Sequence, residues 1–65
     1  MSSRYDLIAR KNEAVARINR LRRELSQEES KGEQSKPKRI RKLQVELERL
    51  QAEEYRLRLA IDRSK

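Results

Sequence analysis

A chain of 65 residues forms one small domain at most, near the lower limit for folding without disulfides, metal or a partner. Charged residues make up 45% and hydrophobic ones 34%, with no Cys, His, Phe or Trp, so thiolate and imidazole chemistry and the usual zinc and haem sites are excluded. Net charge is +7, which favours nucleic acid, anionic surfaces or acidic proteins as partners.

Such a composition borders on the disordered class, and only the regular spacing of the apolar residues opposes that reading. No long apolar run is present, so neither a signal peptide nor a membrane span is expected. The expected location is the cytoplasm, or the inside of a ribonucleoprotein or viral particle. Charge is uneven along the chain. Residues 1–25 carry seven basic and three acidic groups, residues 26–35 one and three, and residues 36–65 ten and five.

Ser2 or Ser3 can cap a helix that begins near Arg4, with Asp6 in its first turn, where the helix dipole favours an anion. Leu7, Ala14, Ile18, Leu21 and Leu25 recur at helical spacing, and Ile8 and Val15 widen the stripe early on. The pattern stops after Leu25. Ser26 to Lys36 has no apolar residue and holds the only glycine, Gly32. Helix one is therefore expected over about 4–28 and a polar turn over about 29–36.

Pro37 suits the first turn of a second helix, expected over 37–62, with Arg63 and Lys65 at the end that favours cations. Ile40, Leu43, Leu47, Leu50, Glu54, Leu57 and Ile61 alternate spacings of three and four, the seam of a coiled coil. A single helix cannot bury such a seam, so another helix must lie against it. The short polar gap assigns that partner to residues 4–25. The expected fold is all-α: an antiparallel, coiled-coil-like two-helix hairpin occupying the whole chain as one domain.

In the register expected from this layout, Leu25 meets Ile40, Ile18 meets Leu47, Ala14 faces Leu50 and Leu7 lies near Leu57. The two polar intrusions, Lys11 and Glu54, then face each other and fix the register as an ion pair. Such a hairpin buries little, which points to a homodimer, as in a four-helix bundle, or to docking on a larger assembly. Val45, Ala52, Tyr55 and Leu59 form a second, weaker apolar line off the seam. It reads either as scatter on a solvated face or as a second contact surface.

Adjacent carboxylates, Glu28 with Glu29 and Glu53 with Glu54, point about 100° apart on a helix and converge on nothing, so they read as solvated surface charge. One glycine cannot form a phosphate loop. Neither an enzyme, a cofactor nor a small-molecule substrate is expected. The basic residues carry more. Lys36 to Lys42 (KPKRIRK) sets five cations at the start of helix two, against its dipole, a placement that an anion such as phosphate would explain. Lys42, Arg49, Arg56 and Arg63 recur every seven residues along about 32 Å. The bland account is that Glu46 pairs with Arg49, and Glu53 with Arg56, three residues apart. On helix one, Arg17 and Arg20, with Arg10, Arg22 and Arg23, outnumber the nearby acids Glu13 and Glu24. With only Tyr5 and Tyr55 as aromatics, binding should be led by the nucleic-acid backbone, not the bases.

The segment from Gly32 (GEQSKPKRIRKLQVELERL) resembles the second half of the small helical-hairpin proteins at the exit-tunnel rim of the large ribosomal subunit. Gly32, Pro37, Arg39, Ile40, Arg41, Leu47 and Arg49 match that family. Gln44 and Val45 stand where it has paired arginines, and Ser26 to Lys31 replaces its apolar and aromatic residues. The resemblance implies a helical hairpin in which Lys38, Arg39, Arg41 and Arg49 contact ribosomal RNA. Plasmid copy-number hairpins that dimerise into four-helix bundles on paired RNA loops are similar in size and layout only.

The expected function is thus a small basic hairpin that contacts RNA or DNA phosphates without catalysis. The candidate contacts are Lys36, Lys38, Arg39, Arg41, Lys42, Arg49, Arg56, Arg17 and Arg20. The alternative is a protein–protein module, of the scaffolding or inhibitory kind found in phages and plasmids, acting through helix pairing. A membrane-surface role is disfavoured by the lack of a bulky apolar face.

Overall fold

A computed structural model describes residues 3–64. Ser2, the other possible cap, and Lys65, the expected terminal cation, lie outside them. Helix α1 spans Arg4–Ser30 and helix α2 spans Pro37–Arg63, with a single 3-10 turn at Gly32–Gln34 between them. The two helices pack along their length into a body of 49 × 15 × 14 Å, an antiparallel hairpin. Among the described residues no helix is long and apolar enough to cross a membrane.

Local chemistry sets most of the boundaries. The Ser3 hydroxyl accepts a hydrogen bond from the Asp6 N–H at 3.1 Å, satisfying one of the first-turn donors that a helix leaves open. Pro37 opens α2, where its missing N–H costs nothing and its ring presets φ. Gly32 has φ +63°, a left-handed conformation that other L-residues adopt only at a cost. That one reversal lets the chain leave α1 and return within six residues.

The start of the turn departs from the sequence expectation. Helix α1 runs on to Ser30, about a turn past the last apolar residue of its stripe. Ser30 closes it by donating its hydroxyl to the Gln27 carbonyl at 2.8 Å. What holds this polar extension in place is a side chain, Glu28, buried against the start of α2.

Ala14, Ile18, Leu43 and Leu50 are buried, and Leu7, Leu21, Leu25, Ile40, Leu47, Leu57 and Ile61 are half-buried along the same line. Among the described residues no side chain is sealed off completely. Val45, Ala52, Tyr55 and Leu59 are exposed, Val45 and Tyr55 by more than half. The radius of gyration, 14.9 Å, exceeds the roughly 11 Å of a compact chain this long. The accessible surface, 5637 Å², exceeds by about 1,200 Å² the value expected for a compact protein of 7.8 kDa.

The expected Lys11–Glu54 pair is not formed. Glu54 Oε1 instead lies 3.7 Å from Nε of Arg58, one turn along its own helix. Lys11 borders a recess with Arg58, Ile61 and Asp62.

Candidate nucleic-acid interface

The cationic segment sits where α2 leaves the turn. Lys36 has an extended backbone and is the N-cap of α2, but no side chain caps that helix locally. The cap comes instead from α1. Glu28 is only 3% exposed, and its Oε1 accepts the Lys36 N–H at 3.0 Å. Its Oε2 accepts from Nζ of Lys31 at 3.1 Å and lies 3.5 Å from Nε of Arg39. These contacts hold its carboxyl below the usual carboxylate range. The Lys36 N–H contributes most, then the Lys31 hydrogen bond, with the charges of Lys31 and Arg39 adding and desolvation opposing.

Glu28 is thus not the solvated surface charge that its divergence from Glu29 had implied. It follows Leu25 by three residues and continues the spacing Leu7, Lys11, Ala14, Ile18, Leu21, Leu25, so the seam itself carried the signal. A carboxylate is tolerated because every approach to it is a donor or a cation. It is also the anion that the start of α2 required.

One carboxylate does not neutralise the cluster. Lys36, Lys38, Arg39, Arg41 and Lys42 are all exposed. Lys36, Lys38, Arg39 and Lys42 line a shallow depression with Ser35 and Pro37, and Arg41 lies on the neighbouring face of the helix. Among the described residues Arg39 is the one member with an ion pair; Lys36, Lys38, Arg41 and Lys42 have none. Four uncompensated cations therefore flank a helix N-terminus, where the peptide dipoles add positive potential.

No family model, curated protein or solved structure matches the chain.

The other candidate cations lie elsewhere. Lys42, Arg49, Arg56 and Arg63 are exposed along one line of α2. The expected Glu46–Arg49 and Glu53–Arg56 pairs are absent, and Arg56 donates its Nε–H to the Ala52 carbonyl at 3.4 Å instead. Arg17 and Arg20 are not brought to the cluster. They border recesses at mid-hairpin that they share with Glu13, Glu24, Glu46 and Glu53. Alternating charge of this kind repels phosphate as much as it attracts it.

Proposed function

We propose that the hairpin binds nucleic-acid phosphates through the start of α2, without catalysis. The observation that supports this is the set of four exposed cations, Lys36, Lys38, Arg41 and Lys42, without acidic partners around a helix N-terminus. Arg39 is shared between Glu28 and the outside, so its first role is to hold the turn. The resemblance to the ribosomal hairpins favours RNA, with Lys38 and Arg41 as backbone contacts. Paucity of aromatics fits binding with little base preference.

A hairpin with this much exposed surface works as part of an assembly, either a dimer or docked on a larger particle. The exposed apolar residues Val45, Tyr55 and Leu59 support that part of the reading. The alternative, a module that pairs with protein alone, shares this support.

Titrating a fluorescent 20-nucleotide RNA, and separately a DNA duplex, across a salt series tests the proposal. Four phosphate contacts give a log–log salt slope of about −3 on the single strand and about −4 on the duplex. Lys36→Gln, Lys38→Gln, Arg41→Gln and Lys42→Gln together should flatten the slope and weaken binding at least tenfold, with helicity unchanged. No binding at ~50 mM salt, or binding indifferent to the four substitutions, sinks the nucleic-acid reading and leaves the protein module.

A further inference from the structure

The outer surface of α2 carries a second repeat. Lys42, Val45, Arg49, Ala52, Arg56, Leu59 and Arg63 alternate spacings of three and four over the whole helix, and all seven are exposed. Cations take one position of each heptad and apolar residues the other. The line lies opposite the buried seam, since its positions fall midway between seam residues around the helix. It also contains a ready cavity. Lys42, Val45, Glu46 and Arg49 border one open recess, and these are residues i, i+3, i+4 and i+7, the diamond that receives a knob in helix packing.

We propose that a second copy of this chain docks on this face, antiparallel, α2 against α2, about a two-fold axis passing between Leu50 and Gln51. The proposal deepens the assembly reading above and rests on it. Around that axis Lys42 lies level with Leu59 of the second copy, Val45 with Arg56, and Arg49 with Ala52. Lys42, Arg49 and Arg56 thus each meet an apolar residue along which the stem can lie, and Arg63 comes level with Lys38 at the rim. Tyr55 of the second copy comes level with the recess beside Val45.

Charge selects this arrangement. A parallel pairing would set Arg49 against Arg49 and Arg56 against Arg56. The antiparallel one brings Arg49 within one residue of Glu53 of the second copy and Arg56 within one residue of Glu46. Those arginines and glutamates form no ion pairs within one hairpin. Beyond Lys42, which also belongs to the basic cluster, a nucleic-acid ligand suits the line poorly, because Val45, Ala52 and Leu59 gain nothing from phosphate and Glu46, Glu48 and Glu53 flank it. The area agrees too. The excess exposed surface of about 1,200 Å² per chain covers the roughly 800 Å² per partner of a standard interface.

The product is a flat row of four helices, α1–α2–α2–α1, and not a closed four-helix bundle. Its two basic clusters lie at opposite ends, about 34 Å apart at 1.5 Å per residue. That is close to one turn of a B-form duplex.

Sedimentation equilibrium from ~10 µM to ~1 mM, on the full chain free of nucleic acid, should show a monomer–dimer equilibrium within the affinity range of small interfaces. Val45→Lys with Leu59→Lys, which sets cations level with Arg56 and Lys42 of the second copy, should weaken dimerisation at least tenfold. Val45→Glu with Leu59→Glu should preserve it. Both pairs lie on the exposed face, so hairpin helicity stays unchanged. The chain has no native cysteine, so a mixture of Val45→Cys and Arg56→Cys proteins should oxidise mainly to the mixed disulfide. A monomeric wild type at ~1 mM, equal effects of the Lys and Glu pairs, or a predominant Val45→Cys homodisulfide overturns the proposal. Nucleic-acid binding is scored separately, with the Lys pair as a monomeric control. A dimer that ignores nucleic acid refutes the phosphate reading alone, and a monomer that binds it refutes the docking alone.

Discussion

Gly32 is the hinge on which the site is mounted, and replacing it isolates one physical effect. Its φ is +63°, and a Cβ built there meets no atom within 4 Å. Substitution by alanine therefore costs backbone conformation only. For an L-residue the left-handed region costs about 1–2 kcal/mol. Loss of glycine's freedom in the unfolded chain returns about 0.4–1 kcal/mol. Gly32→Ala should then destabilise the hairpin by about 0.5–1 kcal/mol. The chain is short enough for chemical synthesis, so D-alanine can be placed at the same position. It favours positive φ and keeps the unfolded-state gain, so it should stabilise by about 0.4–1 kcal/mol.

Local freedom in the unfolded chain is nearly the same for the two enantiomers, so their difference reports the folded turn. It should be about 1–2 kcal/mol, a factor of about 5–30 in the folding equilibrium. Urea melts followed by circular dichroism at 222 nm, at one fixed concentration, measure it. Equal stability of the L- and D-alanine chains would show that residue 32 is not left-handed, and the account of the turn would fall. Destabilisation by both would show that the site has no room for a methyl group.

Glu28 makes stability depend on pH. Its carboxyl is held low in the folded chain, so the stabilisation is fully present above the unfolded value of about 4.5 and is lost as pH falls through the folded value. Thermal melts between pH 7 and pH 3 should show a steeper acid loss for the wild type than for Glu28→Gln; parallel curves would remove the clasp from the argument. In the seam, Leu43→Ala should cost about 2–4 kcal/mol, whereas Val45→Ala on the outer face should stay within about 0.5 kcal/mol, in melts of samples dilute enough to be monomeric. Similar losses at the two positions would contradict the burial pattern. Ser3→Ala should cost about 1 kcal/mol and Ser3→Asp close to nothing, since aspartate caps equally well. A cost from aspartate as large as that from alanine would mean that the hydroxyl bond to Asp6 is not what starts α1.

Much of the hairpin is legible in order of residues. Ser3 and Pro37 mark the helix starts because capping and proline geometry act over three or four neighbours. The alternation from Ile40 to Ile61 marks the inner face of α2 because a helix turns by a fixed angle per residue. The same arithmetic applied to the outside yields the cation–apolar line, which stays hidden while its lysines and arginines are read only as charge. Glu28 was legible by spacing and obscured by residue type.

Composition and periodicity by themselves determined that the chain makes two helices joined by a polar turn, with one inner face and a basic start to α2. These follow from local forces, each set by residues within one or two turns. Tertiary structure alone decided where charges find partners. Glu28 reaches across to Lys36 and Arg39, Glu54 turns to Arg58 and leaves Lys11 unmatched, and Glu46 and Glu53 leave their neighbouring arginines free. A charged side chain has several partners within reach on its own helix. Which of them it takes depends on the facing helix and on burial, both of which follow from how the chain closes at Gly32.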